Sequence, residues 1–125
     1  MNPMTLQEKT KVYIANAFSL QMIPQAEATV KIRKITVEEA KRILQNGFIN
    51  AVGHDATALV LSRILEMPIN VNRISITLQP NDKLIVFQLM IGRLPAASEL
   101  SEAQLEEIIK SGKYEFKLVE VLNAQ

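Results

Sequence analysis

The spacing of apolar residues divides this chain into segments that favour helix and segments that favour strand. Helical spacing holds over residues 56–65, and Pro68 closes that segment. Thr36-Val37-Glu38-Glu39 is a capping box and opens another helix, which ends at Asn46-Gly47. A further helix is expected over residues 101–112, from a serine N-cap to a glycine stop. The pattern therefore predicts three helices.

Strands are predicted where apolar residues run continuously or alternate with polar ones. These segments cover residues 11–17, 29–35, 48–52 and 114–121. Residues 71–78 also alternate, the turn Gln79-Pro80-Asn81-Asp82 follows, and residues 84–91 form a continuous apolar run. This last arrangement predicts a β-hairpin.

Because strands and helices intermingle, we expect an α/β fold, a mixed β-sheet flanked by helices in a single domain. The domain is expected over residues 11–125, preceded by a flexible polar tail at residues 1–10. A length of 125 residues and a hydrophobic content of 48% suit one domain with a real core. No segment resembles a signal peptide or a membrane span, which predicts a cytoplasmic protein without a membrane partner.

Charge and cysteine content narrow the candidate functions. The 14 basic and 13 acidic residues give a net charge of +1, which argues against binding to long nucleic acids but leaves a small anionic ligand possible. The absence of cysteine excludes disulfides and thiolate metal sites. The acidic residues fall on predicted helix surfaces rather than in a ligand cluster, so we expect neither a metal nor another cofactor.

His54 is the first candidate for chemistry, because its unperturbed pKa lies nearest to physiological pH and the chain has no other histidine. With Asp55 it stands at a predicted helix N-terminus, where backbone N–H groups attract phosphate. An ordinary helix start without chemistry is the alternative. Arg73 and Arg93 lie on or beside apolar strands, where a charge is costly unless it is paired. Each could equally be an ordinary surface arginine.

Several short segments, taken in order, resemble a known family. They are Tyr13 to Met22 (YIANAFSLQM), Gly53 to Thr57 (GHDAT), Asn72-Arg73, Asp82 to Gln88 (DKLIVFQ) and Arg93-Leu94-Pro95. Their order and spacing are similar to those of the viral ring nucleases, type III anti-CRISPR proteins of archaeal viruses with relatives in phages and mobile elements. This family was long carried as a domain of unknown function, and the match covers about residues 11–122.

The resemblance implies a homodimer that binds cyclic tetra-adenylate and cleaves it without metal, by attack of a ribose 2′-hydroxyl. In the host-cell cytoplasm this reaction would neutralise type III CRISPR signalling. His54 matches the family's catalytic histidine, which donates a proton to the leaving 5′-oxygen. Arg93 matches its active-site arginine. The positions expected to line the ligand pocket are Asn16, Ser19, Thr57, Arg73 and Gln88.

One departure from the family pattern bears on catalysis. Family members carry an assisting glutamate three residues after the arginine, and Ala96 stands there in this chain. Glu99 is three residues further on and is the candidate replacement. Without a replacement the protein would be a sponge that holds cyclic oligoadenylate without cutting it. A small DNA-binding regulator is a further alternative.

Overall fold

The computed structural model describes residues 10–125, so the predicted tail lies outside the described residues except for Thr10. The strands are β1 (Val12–Ala15), β2 (Ala28–Ile35), β3 (Ile49–Asn50), β4 (Lys83–Leu89) and β5 (Tyr114–Ala124). The helices are α1 (Val37–Leu44), α2 (Asp55–Leu65) and α3 (Glu102–Ser111). Two short 3₁₀ turns cover Leu20–Met22 and Ala97–Glu99.

The strands form one five-stranded mixed sheet in the order β2-β5-β4-β1-β3. β1 runs parallel to both of its neighbours, β3 and β4. β5 runs antiparallel to β4 and to β2. The predicted class, a single α/β domain with a mixed sheet, is therefore confirmed.

Local capping chemistry sets the helix boundaries much as the sequence predicts. The Thr36 hydroxyl accepts the N–H of Glu39 at 3.1 Å, which completes the capping box of α1. Ser101 and Gln104 form a second capping box at the start of α3. Gly47 and Gly112 follow α1 and α3 with φ of 111° and 67°, a conformation that glycine adopts without a Cβ penalty.

The predicted hairpin of residues 71–78 and 84–91 is wrong. Both edges of β4 are occupied, by β1 on one side and β5 on the other, so no edge is left for residues 71–78. In the described chain these residues form no strand. Ile76 and Leu78 are nevertheless buried, and the N–H of Leu78 donates to the carbonyl of Met22 at 2.8 Å. The apolar alternation thus reflects packing onto the sheet, while β4 itself ends at Leu89 rather than at residue 91.

Side chains that alternate along the strands build one core on each face of the sheet. On β4, Ile85 and Phe87 pack with the buried residues of all three helices. Leu84 and Val86 point to the opposite face, where loop residues that include Leu78 cover the sheet. Within residues 10–125, no helix has the length and apolar character needed to cross a membrane.

Candidate functional site

The carboxyl ends of three parallel strands meet at one edge of the sheet. Asn16 comes directly after β1, His54 lies four residues after β3, and residues 90–94 follow β4. In α/β sheets this edge is where ligands commonly bind, because loops and helix N-termini open there. A cavity of about 730 Å³ lies here, within the range of roughly 300–1,000 Å³ typical of small-molecule sites.

The cavity collects side chains that are far apart in the sequence. Those that the sequence singled out are Asn16, His54, Thr57, Gln88 and Arg93. The cavity lining, as far as the structure describes it, does not include Ser19, Arg73 or Glu99. The structure therefore brings together two of the three candidate catalytic side chains, His54 and Arg93, and three of the five expected ligand-binding ones.

His54 occupies the N-cap of α2 in an extended conformation, with φ of −122° and ψ of 122°. Its side chain is exposed and makes no cap hydrogen bond, while its carbonyl accepts the N–H of Ala58 at 2.9 Å. Asp55 instead satisfies part of the first turn, since its Oδ1 accepts the N–H of Ala56 at 2.7 Å. The imidazole is consequently not committed to helix capping and faces the cavity it lines.

Gly53, which precedes His54, is bound by two side chains from distant parts of the chain. Its N–H donates to Asn16 Oδ1 at 3.2 Å, and its carbonyl accepts from Arg73 Nε at 2.8 Å. Asn16 therefore reaches both the cavity and the backbone beside His54. Arg73 binds the next peptide, between Gly53 and His54, although the cavity lining does not include Arg73.

Ser19, Ala96 and Glu99 all lie on exposed loops. Ser19 is the N-cap of the first 3₁₀ turn, and its carbonyl accepts the N–H of Met22 at 3.1 Å. Glu99 ends the second 3₁₀ turn, where its N–H donates to the carbonyl of Ala96 at 2.9 Å. The glutamate expected to replace the missing carboxylate thus lies on a turn beyond the described cavity lining.

Sequence reasoning missed the rest of the lining, which comes from the end of β4 and the loop after it. These residues are Phe87, Leu89, Met90, Ile91, Gly92 and Leu94. The sequence pattern predicts a strand that continues to residue 91, just before Gly92 and Leu94, whereas β4 ends at Leu89 and the residues that follow it line the cavity. Gly92, next to Arg93, was the available signal for a loop at this point.

No group of three or more histidine, aspartate, glutamate or cysteine side chains that could hold a metal ion occurs in residues 10–125. The polar groups at the cavity are instead an imidazole, a guanidinium, two side-chain amides and a hydroxyl. Such a set can donate hydrogen bonds, neutralise negative charge and transfer a proton.

The chain is similar to proteins of archaeal viruses. The sequence profile of the STIV B116-like family matches residues 12–116. Uncharacterized protein 26 of Sulfolobus islandicus filamentous virus is 44% identical over 75 residues, which is 59% of this chain and 64% of that protein. Uncharacterized protein ORF117 of Acidianus two-tailed virus is 32% identical over 96 residues, 74% of this chain and 81% of that one.

A solved structure shares the fold. B116 of Sulfolobus turreted icosahedral virus superimposes with a TM-score of 0.72 at 26% sequence identity. The match covers 88% of this chain and 98% of the viral one.

Proposed function

The chain belongs to the STIV B116-like family, and we propose that it is a ring nuclease, which cleaves cyclic tetra-adenylate without a metal ion and so neutralises type III CRISPR signalling. The observation that carries this proposal is the convergence of His54 and Arg93 with Asn16, Thr57 and Gln88 around one cavity. These residues come from the loops after β1, β3 and β4, from the first turn of α2 and from β4 itself.

The proposed reaction requires few protein groups beyond the side chains that line this cavity. An RNA linkage carries its own nucleophile, the ribose 2′-hydroxyl, which attacks the phosphorus and expels the 5′-oxygen to leave a 2′,3′-cyclic phosphate. The protein supplies alignment, charge stabilisation and a proton for the departing oxygen. His54 donates that proton, and Arg93 stabilises the negative charge that develops on the phosphoryl oxygens.

Binding of the phosphates is supported by the start of α2. The first-turn amides of a helix have no backbone acceptor within the helix, and the helix dipole adds positive potential there. In α2 the N–H of Ala56 is taken by Asp55 Oδ1, which leaves the other amides of this turn for the ligand. Thr57 lies in this first turn and lines the cavity. An anionic ring can therefore be held by a chain whose net charge is only +1.

The proposed active form is a homodimer. A ring of four equivalent linkages contains a two-fold axis, and a two-fold dimer presents the same residues to opposite linkages. The His54 side chain of each protomer would then face one of two opposite linkages of the ring.

A sponge that binds the ring without cutting it is the second candidate. It is favoured by Ala96, which stands where the family carries a carboxylate, and by the position of Glu99 beyond the described cavity lining. A small DNA-binding regulator fits less well, because no strong basic excess is present.

The test is incubation of the protein with a panel of cyclic oligoadenylates in EDTA, followed by chromatography of the products. A ring nuclease converts the all-ribose tetramer to linear products and leaves a 2′-deoxy ring intact. A sponge retains the ring unchanged. Binding of none of the rings, or cleavage only after a divalent ion is restored, would overturn the proposal.

Two variants at helix starts separate catalysis from capping. His54→Ala should abolish cleavage with little change in stability, because the His54 side chain makes no cap hydrogen bond. Thr36→Ala removes a real cap at a residue that does not line the cavity, and it should cost about 1 kcal/mol of stability while cleavage persists. Equal cleavage by both variants would contradict the role of His54.

A further inference from the structure

Gly53, the residue before His54, is held by hydrogen bonds at both its backbone N–H and its backbone carbonyl. Asn16 Oδ1 accepts the N–H of Gly53 at 3.2 Å, and Arg73 Nε donates to its carbonyl at 2.8 Å. Asn16 precedes Gly53 by 37 residues, and Arg73 follows it by 20. Hydrogen bonds of a helix cap join residues only a few positions apart, so these long-range contacts depend on the tertiary fold.

Arg73 also packs against the backbone at Gly53. A Cβ placed on Gly53 would stand 3.4 Å from Cγ of Arg73, which is van der Waals contact distance. The aliphatic part of Arg73 thus lies along Gly53 while its Nε binds the carbonyl. Both contacts restrict a residue that would otherwise have the widest backbone freedom of any amino acid.

Arg73 is itself anchored through its neighbour. The N–H of Asn72 donates to the carbonyl of Val52 at 2.8 Å, and Asn72 Nδ2 donates to the carbonyl of Asn50 at 2.7 Å. Asn50 Oδ1 in turn accepts the N–H of Val52 at 3.0 Å. These bonds tie the segment that carries Arg73 to β3 and to the residues that lead into His54.

We propose that Asn16 and Arg73 are positioning residues, which fix the backbone on both sides of the Gly53 Cα and thereby aim the His54 imidazole into the cavity. The His54 imidazole needs this support because it makes no cap hydrogen bond of its own within the described chain. The proposal rests on the proposed function insofar as His54 does chemistry. It assigns Arg73 a different task from the ligand contact that the family resemblance implies.

Substitutions of Arg73 can separate its charge from its hydrogen bond. The side-chain nitrogen of glutamine stands as many bonds from the backbone as arginine Nε, so Arg73→Gln keeps a donor for the Gly53 carbonyl but loses the charge. Lysine Nζ stands one bond further out, so Arg73→Lys keeps the charge but loses the Nε donor. Arg73→Ala loses both.

The kinetic arm uses single-turnover cleavage and equilibrium binding of cyclic tetra-adenylate. Because small misplacements of a catalytic group cost about 10²-fold in rate, Arg73→Lys and Arg73→Ala should cleave about 100-fold more slowly. Their Kd should change by only a few-fold, and Arg73→Gln should recover most of the rate. The reverse pattern, in which lysine restores function and glutamine weakens binding, would show that Arg73 contacts the ligand and would overturn the proposal.

A second arm needs no ligand and no activity. The chain has one histidine, so the His54 ring gives a single set of imidazole NMR signals. Arg73→Ala and Arg73→Lys should shift these signals, Asn16→Ala should speed hydrogen exchange of the Gly53 amide, and Arg73→Gln should resemble the wild type. If the protein proves not to cleave any ring, this arm still decides whether the contacts position His54. Unchanged His54 signals in Arg73→Ala and Arg73→Lys, or failure of Arg73→Gln to restore them, would refute the positioning role.

Discussion

Asp82 is the one buried charged side chain among the described residues, with 2% of its surface exposed. Its Oδ1 accepts the N–H of Lys11 at 2.9 Å, and its Oδ2 accepts the N–H of Gln79 at 2.9 Å. The first bond joins the start of β1 to the start of β4, and the second closes the turn before β4. We predict that Asp82→Asn strongly destabilises the fold.

The size of the effect follows from these two bonds. A hydrogen bond to a charged group contributes about 1.5–3 kcal/mol. Asparagine keeps one acceptor oxygen but turns an NH₂ group toward the other backbone N–H, which then stays buried without an acceptor. The expected loss is therefore about 2–3 kcal/mol, which lowers the Tm by about 8–12 °C in a domain of this size.

Urea unfolding followed by circular dichroism measures this loss. Asp55→Asn is the matched control, because Asp55 is exposed and its carboxylate binds one N–H in the first turn of a helix, so its loss should cost at most about 1 kcal/mol. Cleavage per folded molecule should persist in Asp82→Asn, since Asp82 lies at the amino ends of the parallel strands, opposite the cavity. Equal and small losses in both variants would refute the reasoning.

The remaining predictions concern catalysis, assembly and pH. Ala96→Glu should speed cleavage by about 10²–10⁴-fold if an acid–base group is missing, and Glu99→Gln should leave the rate unchanged; a large loss in Glu99→Gln would show instead that Glu99 replaces the missing carboxylate. Sedimentation with cyclic tetra-adenylate present should show a dimer at micromolar protein, and a monomer there would contradict the two-fold site. The hydrogen bond from Arg63 lowers the pKa of Glu102 below its usual value. The stability that this pair contributes is therefore present above the ordinary glutamate pKa and is lost as the pH falls through the lowered pKa of Glu102. The unfolding free energies of wild type and Glu102→Gln should become equal in acid. A difference between the two that stays constant at all pH values would argue against this role of the pair.

Features that depend on a few neighbouring residues could be predicted from the sequence. The capping threonine of α1 and the serine of α3 bind amides three residues away, so Thr36 and Ser101 mark helix starts wherever those helices lie in the fold. The same holds for Gly112, whose positive φ caps α3, and for Gly47, which adopts a positive φ three residues after α1 ends. The start of α2 beside His54 was also predictable from its apolar spacing.

Strand pairing could not be predicted, because strands compete for a limited number of sheet edges. The alternation of residues 71–78 correctly indicates that Ile76 and Leu78 are buried, but an apolar side chain is buried equally well by a loop that covers a sheet. β4 pairs with β1 and β5, which lie about 70 and 30 residues away from it in sequence. Only the tertiary structure decides that competition.

The candidate site divides along the same line. The sequence by itself determined that a lone histidine begins a helix and that particular amide, hydroxyl and arginine side chains accompany it. The tertiary structure decided that Asn16, Gln88 and Arg93 share its cavity while Arg73 binds the Gly53 carbonyl. The reason is physical: helix capping is settled by hydrogen bonds within one turn, whereas a cavity exists only once parallel strands from distant parts of the chain end at one edge.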